Sequence, residues 1–148
     1  MANVDASPQP ISVLISDDDP GFRTIVRKVL AHHTDIRVVG EAKTGSEAVQ
    51  LATKLHPAVC VMDIEMPDLN GIDAMREILR MLPATKILMF SSNTGMTDIQ
   101  EAATAGAAGF VVKNCASQLP KAIRAVTRNV GFFLGLDSPQ RLNSSDTL

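Results

Sequence analysis

The sequence predicts a doubly wound α/β fold. Three observations carry that prediction: five short apolar runs, helical stripes between them, and a regular alternation of the two. The runs are "ISVLI", "IRVVGEA", "AVCVMD", "KILMFS" and "GFVVK". Each is too short for a comfortable helix and is mostly apolar at both alternating positions, as strands buried on both faces are. Strands alternating with helices imply right-handed crossovers, and therefore a parallel sheet with helices on both faces.

The elements follow in order. After the first run, Asp19 and Pro20 make a helix start, with a capping carboxylate and a proline suited to the first turn. Phe22, Ile25, Val26, Val29 and Leu30 then form a stripe at helical spacing. A second helix is expected over 45–55, and a third from the stripe of Ile72, Met75, Ile78, Leu79 and Leu82. An alanine-rich fourth helix spans about 97–105, and a fifth 117–129. Five strands and five helices of this kind fit a flavodoxin-like sheet of order 2-1-3-4-5. Residues 1–10 read as a flexible leader, 11–130 as one folded domain and 131–148 as a linker or tail. Within that tail, Phe132, Phe133, Leu134 and Leu136 would be an unusual group to leave in water. They are expected to pack back on the domain or against another chain.

Composition removes several function classes. The chain has 148 residues, enough for one domain with a core. Its net charge is −2 and no stretch concentrates Lys and Arg, so the footprint of a nucleic-acid binder is missing. No apolar run approaches the roughly 20 residues that cross a bilayer, and "MANVDASPQP" lacks the pattern of a signal peptide. A cytoplasmic location is the simplest expectation. Cys60 and Cys115 lack the spacing of a zinc or redox motif and read as reduced thiols.

In open parallel sheets, ligands sit beyond the carboxyl ends of the strands. Asp17 and Asp18 end the first run, Asp63 the third, Ser91 the fourth and Lys113 the fifth. Each alone has an ordinary reading: a loop aspartate, a solvated strand-end lysine, an unremarkable hydroxyl. Together, carboxylates from separate strands would repel one another without a cation between them. Their hard oxygens suit Mg²⁺, while Lys113 and Ser91 suit a phosphate.

At these residues the chain resembles the receiver domain of two-component response regulators. "VLISDDDPGFRTIVRKVL", "VGEAKTGSEAV", "VMDIEMPDLNGID", "ILMFSS" and "AGAAGFVVKN" carry the likeness, from about residue 11 to 129. "VVGEA" and "AGAAGFVVKN" are similar to the NarL/FixJ-like subfamily. The resemblance implies that Asp63 accepts a phosphoryl group from a sensor histidine kinase. It also implies that Asp17, Asp18, Asp63 and the backbone carbonyl of Glu65 hold Mg²⁺, Asp17 mainly through water. Ser91 and Lys113 would contact the phosphoryl oxygens, with small Ser92 leaving room, and Phe110 would be the aromatic that changes rotamer with the switch. Glu65 and Asn93 would influence how long the phosphate survives. The face of the fourth helix, fifth strand and fifth helix would report the state. It, or the first and fifth helices, could also join two copies. Such a domain catalyses only its own phosphorylation and dephosphorylation and controls an output, transcriptional in most relatives of that subfamily. No DNA-binding domain is read in this chain. Many receivers have proline after the lysine; here Asn114 follows Lys113.

Two rival readings differ in class. A Mg²⁺-dependent phosphohydrolase of the haloacid-dehalogenase kind also uses an Asp nucleophile with an acidic residue two positions on, but on an early strand and with Asp second. A degenerate receiver acting as a phosphorylation-independent interaction module would not need all five strand-end residues. His32, His33 and His56 end no strand and read as structural or solvent-facing. Met62, Met66, Met75, Met81 and Met89 read as core or loop filler. Lys121, Arg124 and Arg128 read as a solvated helix face.

Overall fold

A computed structural model describes residues 8–92 and 95–134. It contains strands β1 (Ile11–Ser16), β2 (Ile36–Ala42), β3 (Val59–Met62), β4 (Lys86–Ser91), β5 (Gly109–Val112) and β6 (Phe132–Leu134). The helices are α1 (Pro20–Ala31), α2 (Gly45–Leu55), α3 (Gly71–Met81), α4 (Met96–Ala105) and α5 (Leu119–Thr127), with a 3-10 helix over Lys113–Gln118 before α5. Every strand pair is parallel and the order is β2-β1-β3-β4-β5-β6.

The inner strands β1, β3, β4 and β5 bury both faces because successive side chains point to opposite layers, whereas β2, expected to do the same, lies at the edge of the sheet and is mostly half-buried with Arg37 exposed. Val13, Ile15, Val61, Phe90 and Val111 join Val26, Leu30, Leu119, Ile123 and Val126 in the layer of α1 and α5. Leu14, Cys60, Met62, Met89 and Phe110 join Ala48, Ala52, Ile72, Met75, Ile78 and Ile99 in the layer of α2, α3 and α4. The two-sided apolar character of the runs thus serves two separate cores.

Caps place the helices. Asp19 accepts a hydrogen bond from the Gly21 amide at 2.8 Å, Thr44 from Glu47 at 3.0 Å and Asn70 from Asp73 at 2.9 Å. Gly71 matters for a different reason. A Cβ there would collide with the backbone carbonyl of Asp63, and the Gly71 amide donates to the Ile64 carbonyl at 2.6 Å. The start of α3 is therefore seated directly on the loop that carries Asp63.

The expectation of five strands is corrected to six. Residues 132–134 pair with β5, with Phe132 packing on the α1/α5 layer and Phe133 on the opposite layer. Two adjacent phenylalanines with both faces of a sheet to cover gain more apolar burial as an edge strand than as a tail in water. The fifth helix is also shorter than 117–129, because the 3-10 helix takes up the chain before Leu119. The leader through residue 7 and the tail from residue 135 lie outside the described residues, as does Asn93. No helix among the described residues is long and apolar enough to cross a membrane.

Candidate functional site

The carboxyl ends of β1 and β3 lie side by side, and backbone hydrogen bonds run past both strands. The Asp17 amide donates to the Ala42 carbonyl at 3.0 Å, and the Asp63 amide to the Ser16 carbonyl at 2.9 Å. These bonds extend the sheet by one residue on each strand. They bring carboxylate oxygens of Asp17, Asp18 and Asp63 within 4.8 Å of one another. Asp17 and Asp63 are buried, at 3% and 7% exposed, while Asp18 faces solvent.

Lys113 enters from the end of β5. Its Nζ lies 2.8 Å from an oxygen of Asp17 and 3.2 Å from an oxygen of Asp63. The same ammonium stands 4.1 Å over the ring of Phe22, which meets Phe90 edge-on at 6.2 Å. Lysine is rarely this buried without partners. Here two carboxylates and an aromatic face supply them. Burial works against the charged ammonium, but hydrogen bonding to Asp17 and the negative charges of Asp63 and Asp17 hold its pKa above the ordinary value. Burial pushes the Asp63 carboxyl up and the charge of Asp17 adds to that, while Lys113 and the Glu65 amide oppose both. Asp63 is thus a poorly solvated carboxylate kept in place by donors.

Three carboxylates against one ammonium leave excess negative charge, two of the three being buried. Hard, anionic oxygens converging with uncompensated charge fit a small divalent cation such as Mg²⁺. Beside Asp18 a cleft of about 550 Å³ opens, lined by Ile64, Met66, Ile72, Glu65, Asp98 and Glu101 among others. The open side of the pocket is therefore the Asp18 side.

Of the other residues singled out in the sequence, Ser91 is buried at the end of β4, opposite Val112 of β5. Ser92 is exposed. Phe110 is fully buried, one strand position before Val111. The Lys113–Asn114 peptide is trans. None of the histidines joins the carboxylate cluster. His56 ends α2 in a left-handed conformation, and His33 Nδ1 lies 2.8 Å from Arg124. Burial pushes the Cys60 thiol up to about 12, which leaves it inert, and Cys115 is likewise unpaired.

Sequence reasoning missed two contributors, Phe22 and Arg23. Phe22 reads there as one member of an apolar stripe, yet its ring carries the Lys113 ammonium. Arg23 donates to the Asp17 carbonyl at 2.6 Å and pairs with Glu41 at 3.3 Å. Away from the site, at the amino end of β2, Arg124, read as solvated, clamps Asp35 through two nitrogens at 2.7 and 3.0 Å. A buried strand-end lysine is itself a signal to look for an aromatic or anionic neighbour on the adjoining helix.

The profile of the family described as the response regulator receiver domain matches residues 13–124. The protein-glutamate methylesterase/protein-glutamine glutaminase of Alkalilimnicola ehrlichii is 46% identical over 108 residues, covering 72% of this chain and 27% of that protein. The transcriptional regulatory protein DegU of Brevibacillus brevis is 32% identical over 132 residues, covering 88% of this chain and 56% of that protein. The crystal structure of the response regulator domain of Thermotoga maritima CheB superposes with a TM-score of 0.76 at 35% identity, covering 81% of this chain and 98% of that one. The chain spans little more than a quarter of the methylesterase relative's length and about half of the transcriptional regulator's. These relatives fall into two output classes, so the NarL/FixJ-like likeness of "VVGEA" does not by itself fix the subfamily.

Proposed function

Because the chain belongs to the response regulator receiver family, we propose that it is a phosphoacceptor switch in which Asp63 takes a phosphoryl group from a sensor histidine kinase. An Asp63 oxygen attacks phosphorus, the P–N bond of the phosphohistidine breaks, and its electron pair returns to the imidazole, which takes up a proton. The observation that carries this reading is the meeting of Asp17, Asp18 and Asp63 with Lys113 at one sheet edge.

Phosphoryl transfer passes through a loose transition state, so the protein's work is alignment and charge compensation. Asp17, Asp18, Asp63 and the Glu65 backbone carbonyl would hold Mg²⁺, which supplies positive charge toward the phosphoryl oxygens. Lys113 compensates charge from the β5 side, and its contact with Phe22 keeps the ammonium directed into the pocket. Asp63, poorly solvated, is an available nucleophile. The Ser91 hydroxyl donates to a phosphoryl oxygen of the product, and Phe110 changes rotamer in response. That coupling shifts an existing equilibrium between two forms.

Glu65, with Asn93, tunes the lifetime of the aspartyl phosphate; an unchanged hydrolysis rate in Glu65→Ala would remove Glu65 from this role. The reader of the switch is a transcriptional output, the class of the DegU relative that matches most of this chain. A second reading, an enzymatic output of the methylesterase class, is favoured by the higher identity of that relative. Two copies could meet through the face of α4, β5 and α5, or through α1 and α5, in the phosphorylated form.

The test is the intact mass after exposure to acetyl phosphate, with and without Mg²⁺, for the parent and for Asp63→Asn. A Mg²⁺-dependent phosphoryl adduct absent from the variant is the expected result. A folded parent that gains no adduct, even when trapped quickly, would leave a phosphorylation-independent interaction module.

A further inference from the structure

The end of β2 holds the Asp17 backbone from both sides. The Asp17 amide donates to the Ala42 carbonyl at 3.0 Å, and the Asp17 carbonyl accepts from Arg23 Nη1 at 2.6 Å. Arg23 is itself anchored on β2, because its Nε lies 3.3 Å from Glu41, the residue before Ala42 and the register partner of Ile15. The other oxygen of Glu41 meets Arg27 Nη1 at 2.7 Å, one turn further along α1. The Arg23 side chain is only 13% exposed, against 47% for Arg27, so the inner half of this chain of contacts is shielded from water. A guanidinium can serve the carbonyl and the carboxylate together, since its donors fan out from one rigid plane.

What these grips fix is Asp18. Its carboxylate faces solvent and makes no hydrogen bond or ion pair among the described residues, yet one of its oxygens lies within 4.8 Å of those of Asp17 and Asp63. Asp17, by contrast, has both oxygens engaged, one by the Asp19 amide at 2.9 Å and the other by Lys113 at 2.8 Å. Asp18 is therefore placed by its backbone alone: the peptide before it is held at the Asp17 carbonyl, and the peptide after it at the Asp19 amide. We propose that Arg23, anchored by Glu41, is a positioning residue for the metal, setting the Asp17–Asp18 peptide so that the Asp18 carboxylate converges with those of Asp17 and Asp63. This role rests on the Mg²⁺-assisted phosphoacceptor reading given above. It makes the outer strand β2, which supplies no carboxylate to the cluster, a determinant of metal affinity. Charge and placement pull in opposite directions here. As a neighbouring cation Arg23 disfavours a bound divalent ion, while as a clamp on the ligand loop it favours one.

The test is calorimetric titration of the full chain with Mg²⁺ for the parent, Arg23→Gln and Arg23→Lys, together with amide exchange of the metal-free samples followed by NMR. Mg²⁺ is expected to bind about tenfold more weakly to Arg23→Gln, the usual loss when a group that orients a ligand is removed. Arg23→Lys should also bind more weakly, because it keeps the charge but not the fork. In metal-free Arg23→Gln the Asp19 amide should exchange faster, while the Asp63 amide, bonded to the Ser16 carbonyl, keeps the parent rate. Equal or tighter Mg²⁺ binding in Arg23→Gln, the result that charge alone gives, overturns the positioning role. So does parental affinity in Arg23→Lys, or faster exchange at Asp63 as well as Asp19, which marks general loosening. Should Arg23→Gln not fold, the Arg23→Lys arm decides alone. A folded parent that binds no Mg²⁺ overturns the metal reading and the positioning role together, whereas failure in the variants alone leaves the metal reading standing.

Discussion

Lys113 Nζ lies 2.8 Å from Asp17 and 3.2 Å from Asp63, so the buried ammonium is held at least as closely by its neighbouring carboxylate as by the proposed acceptor. Asp17 thereby positions the cation, while Asp63 keeps an oxygen environment open toward Asp18 and solvent. Replacing Lys113 by Met retains the stem over Phe22 but removes the charge. We expect lost phosphorylation together with tighter Mg²⁺ binding, because the carboxylates then face the metal without a competing cation. A lowered stability of about 3 kcal/mol should accompany it, the usual result of leaving buried charges unpaired. Mg²⁺ titration and urea unfolding of Lys113→Met check these.

Mg²⁺ should stabilise the folded chain, since the carboxylates it would link are close together only when β1 and β3 are paired. At a free concentration of about 100 times its dissociation constant the gain is about 2.7 kcal/mol. Thermal unfolding with and without Mg²⁺ measures it. In Asp63→Asn the metal-dependent rise in Tm should shrink sharply, and an equal rise would place the ion elsewhere.

Gly71→Ala should disturb the acceptor without touching it. The added Cβ meets the Asp63 carbonyl, and α3 can relieve the collision only by moving off the loop. We expect about 2 kcal/mol of destabilisation, in the range of overpacked sites. A slower phosphorylation rate should accompany it, read by adduct formation over time.

The Arg124 clamp is a separate, exposed feature with a pH signature. The guanidinium hydrogen-bonded to Asp35 holds that carboxyl down at about 2, with the charges of Arg124 and His33 helping. A depressed carboxyl stabilises the fold above its unfolded pKa near 3.8 and loses that contribution as pH falls toward 2. In Arg124→Gln the Asp35 titration followed by NMR should return toward 3.8. The acid limb of the stability profile should then flatten between those values. An unmoved titration would show that the clamp opens in solution.

Much of the fold was legible because it is written in local pattern. Two-sided apolar runs marked β1 to β5, helical stripes marked α1 and α3, and Asp19 with Pro20 marked the start of α1. The clustering of Asp17, Asp18, Asp63 and Lys113 was legible too, because a parallel sheet brings all its strand ends to one edge. Their roles in phosphoryl transfer are the proposal that the mass measurement tests. The sixth strand was not legible as a strand. "FFL" is too short for its pattern to distinguish an edge strand from a packed tail, and what settles it is the space beside Gly109.

The same division holds across the molecule. The sequence alone determined the element order, the doubly wound class and which carboxylates lie at strand ends, since these follow from periodicity and connection rules along the chain. Only the tertiary structure decided that Phe22 lies under the Lys113 ammonium, that Arg23 reaches the Asp17 carbonyl, and that Arg124 reaches Asp35. Those contacts depend on how α1 and α5 lie across the sheet. That placement is set by side-chain packing between residues far apart in the chain, which no local stretch of sequence records.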